Sequence, residues 1–329
     1  MNNDPANRVQ DYLVFGEYGG VNPSIEDSST FTFMTADKMK EIFNHEIEGC
    51  FLYSRHLNPT NRYLGKALSL MEGSEDAKIT ASGMAAIACS VLQLCKTGDE
   101  IIASRTIYGG TYALLKNFLP RLGINTHFVN ICDLDAVKSK INEKTKVIYT
   151  ETISNPLLEV ADTPELRKIA DAHNCKFIVD NTFSPLILTP LKTGAHIVVH
   201  SLTKFVNGSS DCVGGAVCAD ADFVASLRDV NSGAAMLLGP VMDSLRSASI
   251  LKNLRTLHLA LGLTAVDSLL KKKHKMADTR GKIVDYHGIK MLVTYHPAAL
   301  LRNPNLKKPV WDDVQLLREL YNQYLENTK

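Results

Sequence analysis

The stretch AHIVVHSLTKFVNGSSDCVGG, residues 195–215, decides how the rest of the chain is read. Its apolar run HIVVH suits a buried strand, and a lysine, Lys204, stands just past the end of that run. A solvated lysine there would need no explanation. A lysine at the carboxyl end of a buried strand, followed by Asn-Gly-Ser-Ser and then Gly-Gly, is a group presented to a site. What else arrives at the same edge decides between the two.

Outward from this stretch, short apolar segments alternate with helical patterns from about residue 77 to residue 219. The strands expected are EIIAS (100–104), THFVN (126–130), KVIYTE (146–151), KFIVD (176–180), HIVVH (196–200) and GGAVCA (214–219). Between them GTYALLKNFLPRLG and TPELRKIADAHN have helical spacing, the second with a cap region expected at Thr163. Near-continuous apolar strands separated by helices predict an α/β fold, a mostly parallel sheet covered on both faces. Ligands of such sheets sit outside the carboxyl ends of the strands.

Four segments bring chemistry to that edge. KVIYTE delivers Glu151 and, four residues on, Asn155. KFIVD delivers Asp180, and HIVVHSLTK delivers Ser201, Thr203 and Lys204. AKITASGMAAIACSVLQL predicts a short strand, a turn at Ser82-Gly83-Met84 and an Ala-rich helix, whose free first N–H groups suit a phosphate. A lysine amine, a carboxylate and a phosphate cradle together are what pyridoxal phosphate requires. The lysine forms a Schiff base with its aldehyde, and the carboxylate keeps the ring nitrogen protonated. Singly, each residue has a plainer role: Asp180 could start a turn, Tyr108 could be a packing aromatic, and Arg55 could be a solvated loop charge.

Composition narrows the class. The 329 residues can bury a substantial core and allow two domains. Forty-five per cent hydrophobic and 22% charged residues fit a folded globular chain, and a net charge of +1 gives no electrostatic case for nucleic acid or anionic membrane. No export signal is visible in MNNDPANRVQDYLVFGEYGG, and no apolar run reaches bilayer length. Seven cysteines, an odd number without a Cys-x-x-Cys pair, predict reduced thiols in a cytoplasmic protein, with no disulfide framework and no metal site.

Six motifs in order, LYSRHLNPTNRYL (52–64), ASGMAAI (81–87), YGGTY (108–112), ETISNPLLEVAD (151–162), IVDNTF (178–183) and HSLTKF (200–205), resemble the Cys/Met-metabolism pyridoxal-phosphate enzymes. That group includes cystathionine gamma-synthase, the cystathionine lyases and methionine gamma-lyase. The resemblance covers about residues 19–259. It implies a fold-type-I large domain at 56–258, preceded by an amino-terminal arm at 1–55. It makes Lys204 the Schiff-base lysine, Asp180 the partner of the pyridine nitrogen and Tyr108 the ring that stacks on the cofactor. Asn155 would hydrogen-bond the phenolic oxygen, Gly83 and Met84 would offer N–H groups to the phosphate, and Ser201 and Thr203 would add hydroxyls. Tyr53 and Arg55 would reach the phosphate of a neighbouring subunit, which implies a homo-oligomer, dimer or tetramer, with shared sites. Lys252, Lys271, Lys272 and Lys273 have no such setting and are expected at the surface.

The implied activity is that of a lyase or transferase acting on a sulfur amino acid or a homoserine-derived substrate, by elimination or replacement. Methionine gamma-lyases usually carry a cysteine two residues after the stacking tyrosine. Gly110 stands there, which puts the cystathionine enzymes ahead.

The family pattern stops near residue 259. Residues 259–329, with LGLTAVDSLL, RGK (280–282) and VTYHPAALLRNPNLKKPVWDD (293–313), resemble the end of a bacterial iron–sulfur-type uracil-DNA glycosylase. By that resemblance His296 would face a flipped uracil. The glycosylase's GExPG motif is absent, and no cysteine follows Cys218 to hold a cluster. The pyridoxal-phosphate family's substrate-carboxylate arginine belongs to the domain this tail replaces, and Arg280 and Arg302 cannot inherit its role. The chain therefore resembles a fusion with three readings: an enzyme with an impaired substrate site, a cofactor-binding but inactive protein, or a DNA-binding module.

Overall fold

The computed structural model describes residues 5–32, 35–43, 50–155, 157–257, 280–286, 289–294, 305, 308–313, 315–316 and 319. Its centre is a seven-stranded sheet in the order β1-β7-β6-β5-β4-β2-β3. The strands are β1 (Asp76–Thr80), β2 (Glu100–Ser104), β3 (Asn125–Val129), β4 (Thr145–Glu151), β5 (Lys176–Asp180), β6 (Ile197–Ser201) and β7 (Gly215–Ala219). Five neighbouring strands, β3 to β6 by way of β2, run parallel, and β7 is antiparallel to both β6 and β1. The expected mostly parallel sheet is therefore present. KFIVD and EIIAS match residue for residue, while THFVN and HIVVH sit one residue out of step.

Alternation along the strands explains their near-continuous hydrophobicity. Ile148, Phe177, Val179 and Val198 enter one core with Leu64, Leu68 and Met71 of the helix Pro59–Glu72. Val147, Tyr149, Ile178, Ile197 and Val199 enter a second core with Ala86, Ile87 and Val91 of the helix Gly83–Leu94. Both faces of the central strands are covered, so apolar residues occupy both parities.

The helices begin where side chains satisfy their first N–H groups. Asn58 accepts from the N–H groups of Thr60 and Asn61, with Pro59 at the first position. Ser82 accepts from Ala85 N–H at 3.1 Å. The cap of the helix Thr163–Ala172 is Asp162, which accepts from Glu165 N–H at 3.2 Å, so Thr163 is already inside the helix. The carboxylate one residue earlier competes better for that N–H than the expected hydroxyl. GTYALLKNFLPRLG is helical but not one helix. An α-turn (Gly109–Ala113) widens into a π-turn (Leu114–Phe118) and closes as 3₁₀ (Leu119–Leu122), around Pro120 with its missing N–H.

In the carboxyl-terminal part, the run IKMLVTY (289–295) is apolar enough to pair as a strand, and β9 (Ile289–Leu292) within it pairs antiparallel with β8 (Ile283–Tyr286). Residues 308–313 are helical. In KKPVWDDVQLLRELYNQYL (307–325) Val310, Val314, Leu317 and Leu320 have helical spacing, and of these only Val310 lies within the described residues; His296, Arg302 and Lys271 to Lys273 lie outside them. Lys252 is exposed near the end of the helix Ser244–Leu254, as expected. All seven cysteines are free. Among the described residues no helix is long and apolar enough to cross a membrane.

Candidate active site

Strand parity builds the site. Glu151 shares the parity of Val147 and Tyr149, Asp180 that of Ile178, and Ser201 that of Val199. All three therefore project from the carboxyl ends of adjacent strands toward the face carrying the helix Gly83–Leu94. Gly83 opens that helix so close to Ser201 that a Cβ on it would lie 2.7 Å from the Cβ of Ser201. Only glycine permits this approach. Ser82 is occupied with Ala85, which leaves the N–H groups of Gly83 and Met84 without an acceptor among the described residues. Lys204 follows in a turn that starts with its N–H donating to Ser201 O. Its side chain is exposed and makes no hydrogen bond or ion pair among the described residues.

Asp180 is buried, and Thr182 N–H donates to its Oδ1 at 2.9 Å. Tyr149 OH reaches its Oδ2 only at 3.4 Å. Burial pushes the Asp180 carboxyl up, and the Thr182 hydrogen bonds oppose this. Glu151 lies opposite Asp180 in the β4–β5 register and is 6% exposed. Its pKa is pushed up to about 7, first by burial and then by the Asp180 charge, against two backbone N–H groups that favour the ionised form. Tyr149, buried beside both, is held well above its ordinary value by burial and then by their charges. Two buried carboxylates on neighbouring strands, neither with an ion-pair partner among the described residues, suit an incoming cation.

Tyr108, 48% exposed, donates its N–H to Glu151 Oε1 at 2.6 Å. Asn155 N–H donates to Glu151 Oε2 at 2.9 Å. A Cβ on Gly110 would lie 2.6 Å from Tyr108 Cε1 and 3.1 Å from Met84 Sδ, so any side chain there would displace the Tyr108 ring.

Lys204, Asp180, Ser201, Gly83, Met84, Tyr108 and Asn155 thus share one edge. Thr203 is next to them but engaged: its Oγ1 accepts from Gly214 N–H at 3.0 Å and donates to Gly214 O at 3.3 Å. Tyr53 and Arg55 share no hydrogen bond with this group among the described residues. Arg55 lies 5.3 Å from the Tyr53 ring and donates to Met236 O at 3.0 Å. Leu237 and Leu238, which follow Met236 in the chain, are exposed.

Sequence reasoning placed Glu151 at this edge but gave it no role, and passed over Tyr149, Thr182 and His200. His200 has the opposite parity. In the other core its Nε2 lies 2.7 Å from Glu72 Oε1, which also accepts from Asn181 Nδ2 at 2.8 Å. A histidine within an apolar run was the available signal for this buried pair.

A lysine, a cation-seeking carboxylate and a bare helix start at the carboxyl edge of such a sheet define the large domain of a fold-type-I pyridoxal-phosphate enzyme. The chain belongs to the Cys/Met metabolism PLP-dependent enzyme family, whose sequence profile matches residues 10–275. It is 47% identical over 247 residues to methionine gamma-lyase from Arabidopsis thaliana, covering 73% of this chain and 56% of that one. To O-succinylhomoserine sulfhydrylase from Pseudomonas aeruginosa it is 34% identical over 255 residues, covering 77% and 61%. A Campylobacter jejuni structure, assigned as an O-acetylhomoserine (thiol)-lyase and carrying N′-pyridoxyl-lysine-5′-monophosphate, superposes with a TM-score of 0.71 at 29% identity. That match covers 78% of this chain and 71% of that one. The chain spans less than two thirds of the length of the curated relatives.

Proposed function

We propose that this chain binds pyridoxal phosphate on Lys204 and acts on a sulfur amino acid or homoserine-derived substrate, as a lyase or transferase. The observation that carries this is the convergence of a lysine without a partner among the described residues, a buried carboxylate and a side-chain-free helix start on one face of the sheet edge. The residues fit the group. Gly83 and Met84 N–H groups and the Ser201 hydroxyl would take the phosphate, and Thr203 would join them by giving up Gly214. Asp180 would take the charge of the ring nitrogen, Tyr108 the ring face and Asn155 the phenolic oxygen. When bound, the cofactor supplies an electron sink for bonds at the substrate's α-carbon. Lys204 Nζ moves protons at the substrate's carbons, as base and then as acid. Tyr53 and Arg55 fit a role toward a second copy of the chain, since Arg55 donates to Met236 O beside the exposed Leu237 and Leu238, and neither residue shares a hydrogen bond with the Lys204 edge among the described residues. A homodimer or homotetramer follows from that reading, as does a cytoplasmic setting from the reduced thiols.

Borohydride reduction of protein loaded with pyridoxal phosphate, followed by peptide mapping, tests the assignment. The label is expected on the Lys204 peptide; label elsewhere, or none, would end it.

A second reading, a protein that binds the cofactor but turns over poorly, is favoured by one observation. Arg280 is committed to Asp313, with NH2 at 2.7 Å from Oδ1 and Nε at 3.2 Å from Oδ2, so it does not serve as a substrate clamp. Residues 259–329 we read as a glycosylase-like appendage without glycosylase activity. Keto-acid release from cystathionine, methionine and O-acyl-homoserine separates the two readings. Loss of a carboxylate clamp is expected to lower kcat/KM on the order of a hundredfold or more.

A further inference from the structure

We propose that Glu151 is a positioning residue for the cofactor site, its two carboxylate oxygens holding together the separate segments that carry Tyr108 and Asn155. This rests on the pyridoxal-phosphate reading above. Oε1 accepts the N–H of Tyr108, 43 residues away in the chain, and Oε2 accepts the N–H of Asn155. Tyr108 caps its helix without a side-chain hydrogen bond, and Glu151 is the acceptor of its N–H among the described residues.

The chemistry demands an ionised carboxylate. Two N–H donors approach one side-chain terminus, and each needs an oxygen without a competing hydrogen. A carboxylate offers two acceptors, while glutamine offers one acceptor and one NH₂ group that would face the second donor. Shortening to aspartate withdraws both oxygens by one methylene. The cost of keeping Glu151 ionised comes from its surroundings. It is buried, and Asp180 faces it from β5, with Tyr149 between them on β4 and His200 acting on Asp180 from β6. A cation on Asp180, such as the protonated ring nitrogen of the cofactor, offsets the Asp180 charge and so favours the ionised Glu151. Cofactor binding at Asp180 and fixation of Tyr108 and Asn155 are therefore coupled, each strengthening the other.

Two measurements on Glu151→Gln, with Glu151→Asp as the second variant, test this. The first is amide hydrogen exchange of apo and loaded protein at Tyr108 and Asn155. In the wild type both amides are expected to gain protection on adding pyridoxal phosphate, and Glu151→Gln is expected to lose that gain at one of them. The second is cofactor affinity and the visible circular dichroism of the bound cofactor. Glu151→Gln is expected to bind at least tenfold more weakly, with a diminished signal, while borohydride at saturating cofactor still labels Lys204. Wild-type affinity and dichroism in Glu151→Gln would overturn the proposal, even if its melting temperature fell, because Glu151 would then serve the fold alone. If the wild type itself never labels Lys204, the cofactor reading fails first. Wild-type exchange at both amides in apo Glu151→Gln would then separately overturn the holding role.

Discussion

The carboxyl edge of β4 to β6 and the carboxyl-terminal knot around Asp313 treat their polar groups in opposite ways. At the sheet edge Lys204 has no partner among the described residues, Asp180 and Glu151 are pushed up by burial, and Tyr108 is half-exposed. In the knot Arg280 grips both oxygens of Asp313, which is 2% exposed, and also donates to Pro309 O at 2.6 Å. Thr294 OH donates to Asp313 Oδ2 at 2.7 Å, and Gly281 N–H to Val293 O at 2.9 Å. Polar groups left under strain mark a place prepared for a ligand, and groups that satisfy one another mark structure. RGK, Val293-Thr294 and WDD, three pieces of the segments that carried the tail's resemblance, meet in the knot.

The largest expected effect breaks this contrast if it fails. Lys204→Ala should lose the covalent cofactor label and lower turnover by roughly a thousandfold or more, with little change in unfolding midpoint. Asp313→Asn should do the reverse. It leaves Arg280 without its charged partner, and breaking such a pair is expected to cost about 2–3 kcal/mol of stability while cofactor affinity stays at the wild-type value. Urea unfolding and cofactor titration on the two variants check both arms. A fall in cofactor affinity for Asp313→Asn would mean that the two regions are not separate in function.

Legibility in the sequence followed the same division. Lys204, Asp180 and the Ser82-Gly83-Met84 turn could be found because each sits at the end of an apolar run or opens a helix, where parallel-sheet topology leaves one edge for ligands. The sheet was legible because both faces of its strands are buried. Glu151 was seen at a strand end but its use was not, because its partners are backbone N–H groups of residues that no side-chain pattern points to. The occupation of Thr203 by Gly214 was hidden for the same reason. The His200–Glu72 pair joins residues 128 apart and depends on a helix packing against the sheet, which spacing along the chain cannot convey. In the tail, Arg280 was set aside as a carboxylate clamp on grounds of ancestry, and its partner turned out to be Asp313.

A smaller effect sharpens the electrostatic side. Glu151 has its ordinary value near 4.5 in the unfolded chain and is raised to about 7 in the fold. Between those values the folded state holds a proton that the unfolded state has released, so its contribution is full below pH 4.5 and is lost as pH rises through 7. The loss amounts to about 3 kcal/mol at most. Lys78, pushed down to about 7 by burial and then by Arg228, contributes with the opposite slope, gaining as pH rises from about 7 to 10.5. The comparison must therefore be between wild type and Glu151→Gln. Apo wild type should lose stability relative to the variant between pH 5 and pH 7.5 in urea unfolding. Parallel curves would show that Glu151 titrates normally and that Asp180 does not press on it.

The smallest expected effect is none at all. If residues 259–329 descend from a uracil-DNA glycosylase, they keep the histidine that would stabilise a departing base, His296, but not the GExPG segment that would position the attacking water. Excision needs both roles, because a stabilised leaving group without an aligned nucleophile saves only part of the barrier. The chain's net charge of +1 also gives no general attraction to the phosphate backbone. Single- and double-stranded DNA containing uracil should therefore be cleaved no faster by the wild type than by His296→Ala, at low as well as physiological salt. Excision that disappears in His296→Ala would make the tail a working site, and a knot of satisfied groups would then be the scaffold of a second activity.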